Sequence, residues 1–310
     1  MRSAVRRLVE TSRRSGPSQV VPSPEPTVED TSRSDDLCAE VACDQRPERV
    51  FGAGRAVDAV PPLWCDAMSV DQTIRPCRVR HYVLATRDKD AVCDELYDFL
   101  GLEPTPARDG PDPTEAFGFG STMMRVGTTL IEVVEPLVEP HHLYNFFDQR
   151  GGRDGGFMVV MQTYDADALR SRAGGEALRF VMDLEFAGQR LMQFDHRHFG
   201  TRFEFYEYTP EENWWGNPLS GPYSDSAVAE DIVGAQVAVE RPADIAAQAA
   251  RVFLARQEGN AIRCVDDRTI NFVEPDSTTL RGLTSIFLKA RDRSRVGDGE
   301  RIANVDFTLV

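Results

Sequence analysis

From Arg78 onward, short runs of alternating apolar and polar residues take turns with single stretches of helical spacing. RVRHYVLAT (Arg78–Thr86) is rich in β-branched and aromatic side chains and predicts a strand. Asp88 then stands where an N-cap belongs, and Val92, Leu96 and Phe99 recur at i, i+4 and i+7. That spacing predicts a helix over Lys89–Leu100 with one apolar stripe, stopped by Gly101. Three more strands are expected over Glu115–Gly120, Thr122–Val126 and Thr128–Glu135, with Gly127 in the last turn.

The same order returns. GFMVVMQT from Gly156 predicts a strand, Ala166–Ala173 a helix, and LRFVMDLEF, QRLMQFDH and TRFEFYEY three strands. A third copy starts at Gly234 with GAQVAVE, a helix over Ala243–Arg256, then AIRCVDD and TINFVEPD. FLKARD (Phe287–Asp292) aligns with VLATRD (Val83–Asp88) and opens a shortened fourth copy that ends in RIANVDFTLV. Repeats of this kind come from one supersecondary unit used several times. The expected organisation is a first paired unit over 78–212 (modules 78–137 and 156–209), a linker over 213–227, and a second unit over 228–310 (modules 234–276 and 282–310). Trp214 and Trp215 fall in that linker and are expected to pack between domains.

Residues 1–77 show no sustained period and are rich in Ser, Pro, Arg and Asp. Such a segment buries too little apolar surface to offset its ordering entropy, so it is expected to be disordered. Its basic opening, MRSAVRRLVETSRRSG, also suits a transit peptide, and an upstream extension of a reading frame that begins at Met68 suits it equally.

The strand–helix–FLGLE opening (through Glu103) and the closing strand IEVVEP (Ile131–Pro136) resemble the vicinal oxygen chelate superfamily of glyoxalases, bleomycin-resistance proteins and extradiol dioxygenases. The resemblance implies an α+β fold of tandem βαβββ modules. These pair into curved mixed sheets around a cavity, with helices on the outer face. It also implies a divalent metal (Fe, Mn, Zn, Ni or Co) held by the first and last strands of each module.

Carried over position by position, the first-module ligands fall on His81 and Glu132. Strand alternation puts His81 on a face with Val79, Val83 and Ala85, and Glu132 on one with Leu130 and Val134. A carboxylate in a strand apolar on both faces needs a partner or a metal. In the second module the last-strand position is Glu204, which Phe203 and Phe205 would turn toward the cavity with Arg202 and Tyr206. The first-strand position falls near Met158, a thioether poorly suited to hard or borderline divalent ions. His196, in DHRHFG with His198, is a possible replacement ligand or a solvent-facing turn residue. The expected site is therefore His81, Glu132 and Glu204 as ligands, the two glutamates also catalytic, with Met124, Met158 and Tyr206 lining the pocket. The alternative for Glu204 is a pair with Arg202 or Arg125. His141 and His142, with Tyr144, Phe146 and Phe147, are expected to cover the pocket or a module interface. The second unit's corresponding positions, near Gly234, Asn271, Ser285 and Asp306, predict no metal there.

The resemblance implies a glyoxalase-like enzyme that chelates adjacent oxygens of a small molecule, as isomerase, epimerase, lyase or dioxygenase. The alternative is a metal-free small-ligand binder whose cavity is lined by Met123, Met124, Phe157, Met158, Met192 and Phe194. Composition narrows the partners. A formal charge of -15 repels phosphate backbones and anionic membranes, so neither nucleic acid nor membrane is expected. No apolar run approaches the roughly 20 residues that span a bilayer. GFGS (118–121) and GGRDGG (151–156) lack the lysine and the following helix of a phosphate loop. The six cysteines, Cys38, Cys43, Cys65, Cys77, Cys93 and Cys264, form no CxxC pair and are expected to be reduced thiols of a cytoplasmic protein.

Overall fold

The computed structural model describes residues 75–104, 117–186, 188–208, 223–276 and 281–310. In the first module β1 (Arg78–Ala85) leads to α1 (Lys89–Leu100), β2 (Phe119–Val126) and β3 (Thr129–Pro136). The Asp88 carboxylate caps α1 by accepting from the Ala91 N–H at 3.1 Å, and Gly101 ends it in the left-handed conformation. The strands expected over Glu115–Gly120 and Thr122–Val126 are one strand in their described part. Gly120 and Ser121 do not interrupt the ladder, since they pair with Glu135 and Val134. Glu115 and Ala116 lie outside the described residues.

A helix absent from the expectation, α2 (His142–Gln149), connects the modules. Leu143 and Phe147, four apart, are its buried positions, and the His141 ring caps it by accepting from the Leu143 N–H. The second module follows as β4 (Gly155–Thr163), α3 (Ala166–Gly175), β5 (Phe180–Phe186), β6 (Gln189–Phe194), the single turn α4 (His196–Phe199) and β7 (Arg202–Glu207). The third is β8 (Ala229–Ala238), α5 (Pro242–Phe253), β9 (Arg256–Glu258), β10 (Ala261–Arg263) and β11 (Thr269–Val273). The fourth has β12 (Gly282–Ala290), a 3-10 turn at Arg293–Arg295, β13 (Gly299–Ile302) and β14 (Val305–Leu309). β8 begins five residues before the expected Gly234, and β9 is a polar strand with no apolar alternation to announce it. Trp214 and Trp215 lie outside the described residues, as do Cys38, Cys43 and Cys65; Cys77, Cys93 and Cys264 are buried and free.

The fold is α+β, with a large curved, unclosed mixed sheet of 14 strands among the described residues. In every module the first strand runs parallel to the last: β1 with β3, β4 with β7, β8 with β11, β12 with β14. First strands then pair antiparallel, β1 with β4 and β8 with β12. One bridge, Leu283 to Gly156, joins β12 to β4. A Cβ on Gly156 would lie 2.3 Å from the Leu283 carbonyl oxygen, so only glycine permits that approach.

The helix side of the sheet carries one continuous core. Phe253 of α5 sits at its centre, with ring centroids 5.0, 5.2 and 4.9 Å from Phe199, Phe203 and Phe205 of the second module. Burying such a ring contributes about 1.5–3 kcal/mol over leaving it exposed. A smaller cluster, including Val83, Leu130, Val134, Met158 and Tyr206, lines the opposite, concave side of the first two modules. Val79 was expected there with His81 but packs on the helix side with Tyr82 and Leu84. The ladder to β4 slips by one residue between Val79 and His81, which turns them to opposite faces. No helix among the described residues is long and apolar enough to cross a membrane.

Candidate functional site

The concave side of the first two modules holds a cavity of about 240 Å³. His81 from β1, Glu132 from β3 and Glu204 from β7 all line it. Registers explain the convergence. His81 stands opposite Leu130, and Glu132 is two residues further along β3. Met158 stands opposite Arg202, and Glu204 is two residues further along β7. The same offset in two parallel strand pairs makes Met158 the positional counterpart of His81.

His81 and Glu132 are 2% and 6% exposed, and the His81 Nε2 lies 3.2 Å from a Glu132 carboxylate oxygen. The other imidazole nitrogen, Nδ1, is buried without a hydrogen-bond partner. Glu204 accepts from the Gln193 side-chain amide at 2.9 Å and bonds the Tyr206 hydroxyl. Burial pushes its carboxyl up to about 7; His81 and the Gln193 bond oppose that, and Glu132 reinforces it. Arg202 donates to the Gln193 carbonyl, which fixes the orientation of that amide. Phe119, Val134, Met158 and Leu191 supply apolar walls.

Two donors each about 2.1 Å from one ion and at roughly right angles lie about 3 Å apart, so the His81–Glu132 spacing suits a shared divalent ion. One imidazole and two carboxylates are also a chemically suitable donor set. Among the described residues, however, no group of three or more His, Cys, Asp or Glu side chains is arranged to hold an ion. Glu204 spends its carboxylate on Gln193 and Tyr206, leaving the pair to form the core of a site.

Other sequence-derived candidates lie elsewhere. Met124 packs on the helix side because it opposes Ile131; its neighbour Met123 opposes Glu132 and belongs to the cavity-side cluster. Met192 and Phe194 also face the helices. His196 sits in α4 against Asp195 at 3.3 Å and lines a second cavity, and His198 accepts from the Arg179 N–H. Arg125 pairs with Asp225. Gln193 was missed, although alternation with Met192 and Phe194 places it on the cavity face with Leu191.

No protein-family model matches the chain, and no curated protein does. Among solved structures, a hypothetical protein from Staphylococcus aureus is 9% identical and covers 76% of this chain and 98% of its own, with a TM-score of 0.55. At that identity the likeness is one of fold. A hypothetical protein from Bacillus halodurans is 18% identical over 43% of this chain and 94% of its own, at a TM-score of 0.37. Methylmalonyl-CoA epimerase from Mycobacterium tuberculosis is 21% identical over 42% and 86%, at 0.35.

Proposed function

We propose that the chain is an enzyme of the vicinal oxygen chelate type, whose smaller cavity takes a divalent metal and a small oxygenated molecule. The carrying observation is the convergence of His81, Glu132 and Glu204 on one cavity through the same register offset in two modules. His81 and Glu132 would hold the ion, with Glu204 as third ligand once it leaves Gln193. Such an ion supplies Lewis acidity toward adjacent oxygens of the bound molecule.

The chain's own residues supply the rest. Glu204 sits where its carboxyl can hold or release a proton near neutral pH, oriented by Gln193 and Tyr206. The apolar walls exclude water and strengthen each polar contact inside. One imidazole with two carboxylates, in place of two imidazoles with one, favours isomerase, epimerase or lyase chemistry over dioxygenation. The rival is a metal-free binder, favoured by the apolar walls and by the unclosed donor set.

Elemental analysis of the purified protein, with His81→Ala and Glu132→Ala beside it, decides between them. Stoichiometric Mn, Fe, Ni, Co or Zn in the parent, lost in both variants, is the expected result. A metal-free parent that binds apolar ligands equally well in all three proteins would overturn the enzyme reading.

A further inference from the structure

A second, larger cavity of about 770 Å³ opens where the first two modules meet β8, α5 and β12. Its charge is unlike the rest of the molecule. Arg150, Arg197, Arg202, Arg241 and Arg281 line it; Arg197, Arg241 and Arg281 pair with Asp195, Asp244 and Glu240, while Arg150 and Arg202 have no ion pair among the described residues. The chain as a whole carries -15. Concentrating guanidinium groups in one cleft of an acidic protein costs mutual repulsion that an anionic ligand removes.

Arg150 is the decisive residue. It is 7% exposed, and its Nη1 donates to the Arg281 carbonyl at 2.6 Å. Its Nε and Nη2 are packed against Gly155 with no hydrogen-bond partner among the described residues, so no protein group neutralises this cation. Burial and nearby Arg153 push its guanidinium down to about 10, the direction of a cation lacking a counter-charge. The Phe146 ring holds it from one side at 4.9 Å. Asn145, Gln149 and Thr201 add uncharged polar groups to the lining, and Phe157 and Ile245 add apolar ones.

From the arginine lining and the buried Arg150 cation that no carboxylate pairs, we infer that this cleft is a binding site for a phosphate-bearing small molecule. Guanidinium forks match phosphate oxygens in pairs, and Arg150 and Arg202 are the two lining guanidiniums with no carboxylate of their own. The inference does not rest on a metal at His81. The cleft shares only His142, Phe157 and Arg202 with the smaller cavity.

The test is titration calorimetry of the full chain with inorganic diphosphate, in metal-free buffer at low ionic strength. One equivalent is expected to bind, more weakly as salt rises. Arg197 and Arg241 have side chains 79% and 77% exposed, so replacing both does not threaten folding. The double variant Arg197→Gln/Arg241→Gln should bind about three- to tenfold more weakly. Glu240→Gln, which frees Arg281 from its ion pair, should bind about two- to fivefold more tightly, a gain that a purely structural arginine cluster would not give. His81→Ala should bind as the parent does, so a failure of the metal site leaves this result intact. Phenyl phosphate binding more tightly than inorganic phosphate identifies an ester as the ligand class; equal affinities identify free phosphate. No binding by the parent, equal affinities in the arginine and Glu240 variants, or loss in His81→Ala overturns the inference.

Discussion

The first and second module pairs bury polar groups in opposite ways. In the second pair Arg268 is 4% exposed and every guanidinium nitrogen has a partner. Nε donates to the Ile232 carbonyl at 2.9 Å, Nη2 to Asp231 and to Thr128, and Nη1 to Asp266. In the first pair His81 is buried just as deeply, yet its Nδ1 has no partner and its Nε2 has only Glu132. A saturated buried cation is a structural fastener. A buried imidazole with an unsatisfied nitrogen, beside a cavity, is not such a fastener and is the kind of group that functional sites hold. The positions that correspond to His81 and Glu132 sharpen the contrast. Gly234 stands opposite Thr269, with half-buried Asn271 two residues on. Ser285 stands directly opposite Asp306, so the two-residue offset points to Thr308 rather than to the Asp306 of the sequence alignment. Asp306 itself turns to solvent and pairs with Arg301 at 3.7 Å.

The contrast is broken most directly at Arg268. Arg268→Met leaves Asp231 and Asp266 without their shared cation and releases Thr128 at the β2–β3 turn. Breaking such a network is expected to cost about 3–5 kcal/mol, read from urea denaturation. A loss under about 1 kcal/mol would put Arg268 in the class of surface pairs and remove the fastener from the comparison.

Next in size is the pH dependence of the metal-free protein. The Glu204 carboxyl rises from its ordinary 4.5 to about 7 on folding. Below 4.5 it is protonated in both states and contributes nothing. Between 4.5 and about 7 the unfolded chain has lost the proton and the folded one retains it, so stability falls as pH rises, then levels. Glu204 borders the cavity and is half-buried, which limits the fall to about 2 kcal/mol. Denaturation midpoints across this range should slope downward in the parent and lie flatter in Glu204→Gln. Parallel slopes would show that Glu204 titrates normally.

Much of this was legible in the chain. Val92, Leu96 and Phe99 mark the stripe of α1, and the alternation of Phe203 and Phe205 around Glu204 turns that carboxylate inward. The unreadable parts have physical causes. Period-2 reasoning put Val79 with His81, but a one-residue slip in the ladder to β4 depends on a partner strand some eighty residues away. Met123 and Met124 are interchangeable by composition, and only the register against Glu132 and Ile131 assigns their faces. The arginine cleft gathers residues from α2, α4, β7 and the segments around β8 and β12, which share no local pattern.

The smallest expected effect is the most discriminating. Met158 holds the His81 position in the second module, 8% exposed, with its sulfur 3.8 Å from the Gln193 amide that holds Glu204. If the first pair of modules is a metal site short of one donor, Met158→His supplies it at the matching offset. Metal affinity, measured by competition with a chelator, should then rise about tenfold or more. The metal-free protein should lose about 1 kcal/mol, because an imidazole replaces a thioether beside Val83 and Val160. Ser285→His makes the same change on β12, where Gln236 and Asp306 are the cross-strand neighbours and no buried histidine–carboxylate pair waits for it. It should leave affinity unchanged. Equal gains from both substitutions would mean that any histidine on a first strand recruits metal, and that the offset shared by His81 and Met158 carries no information about a site.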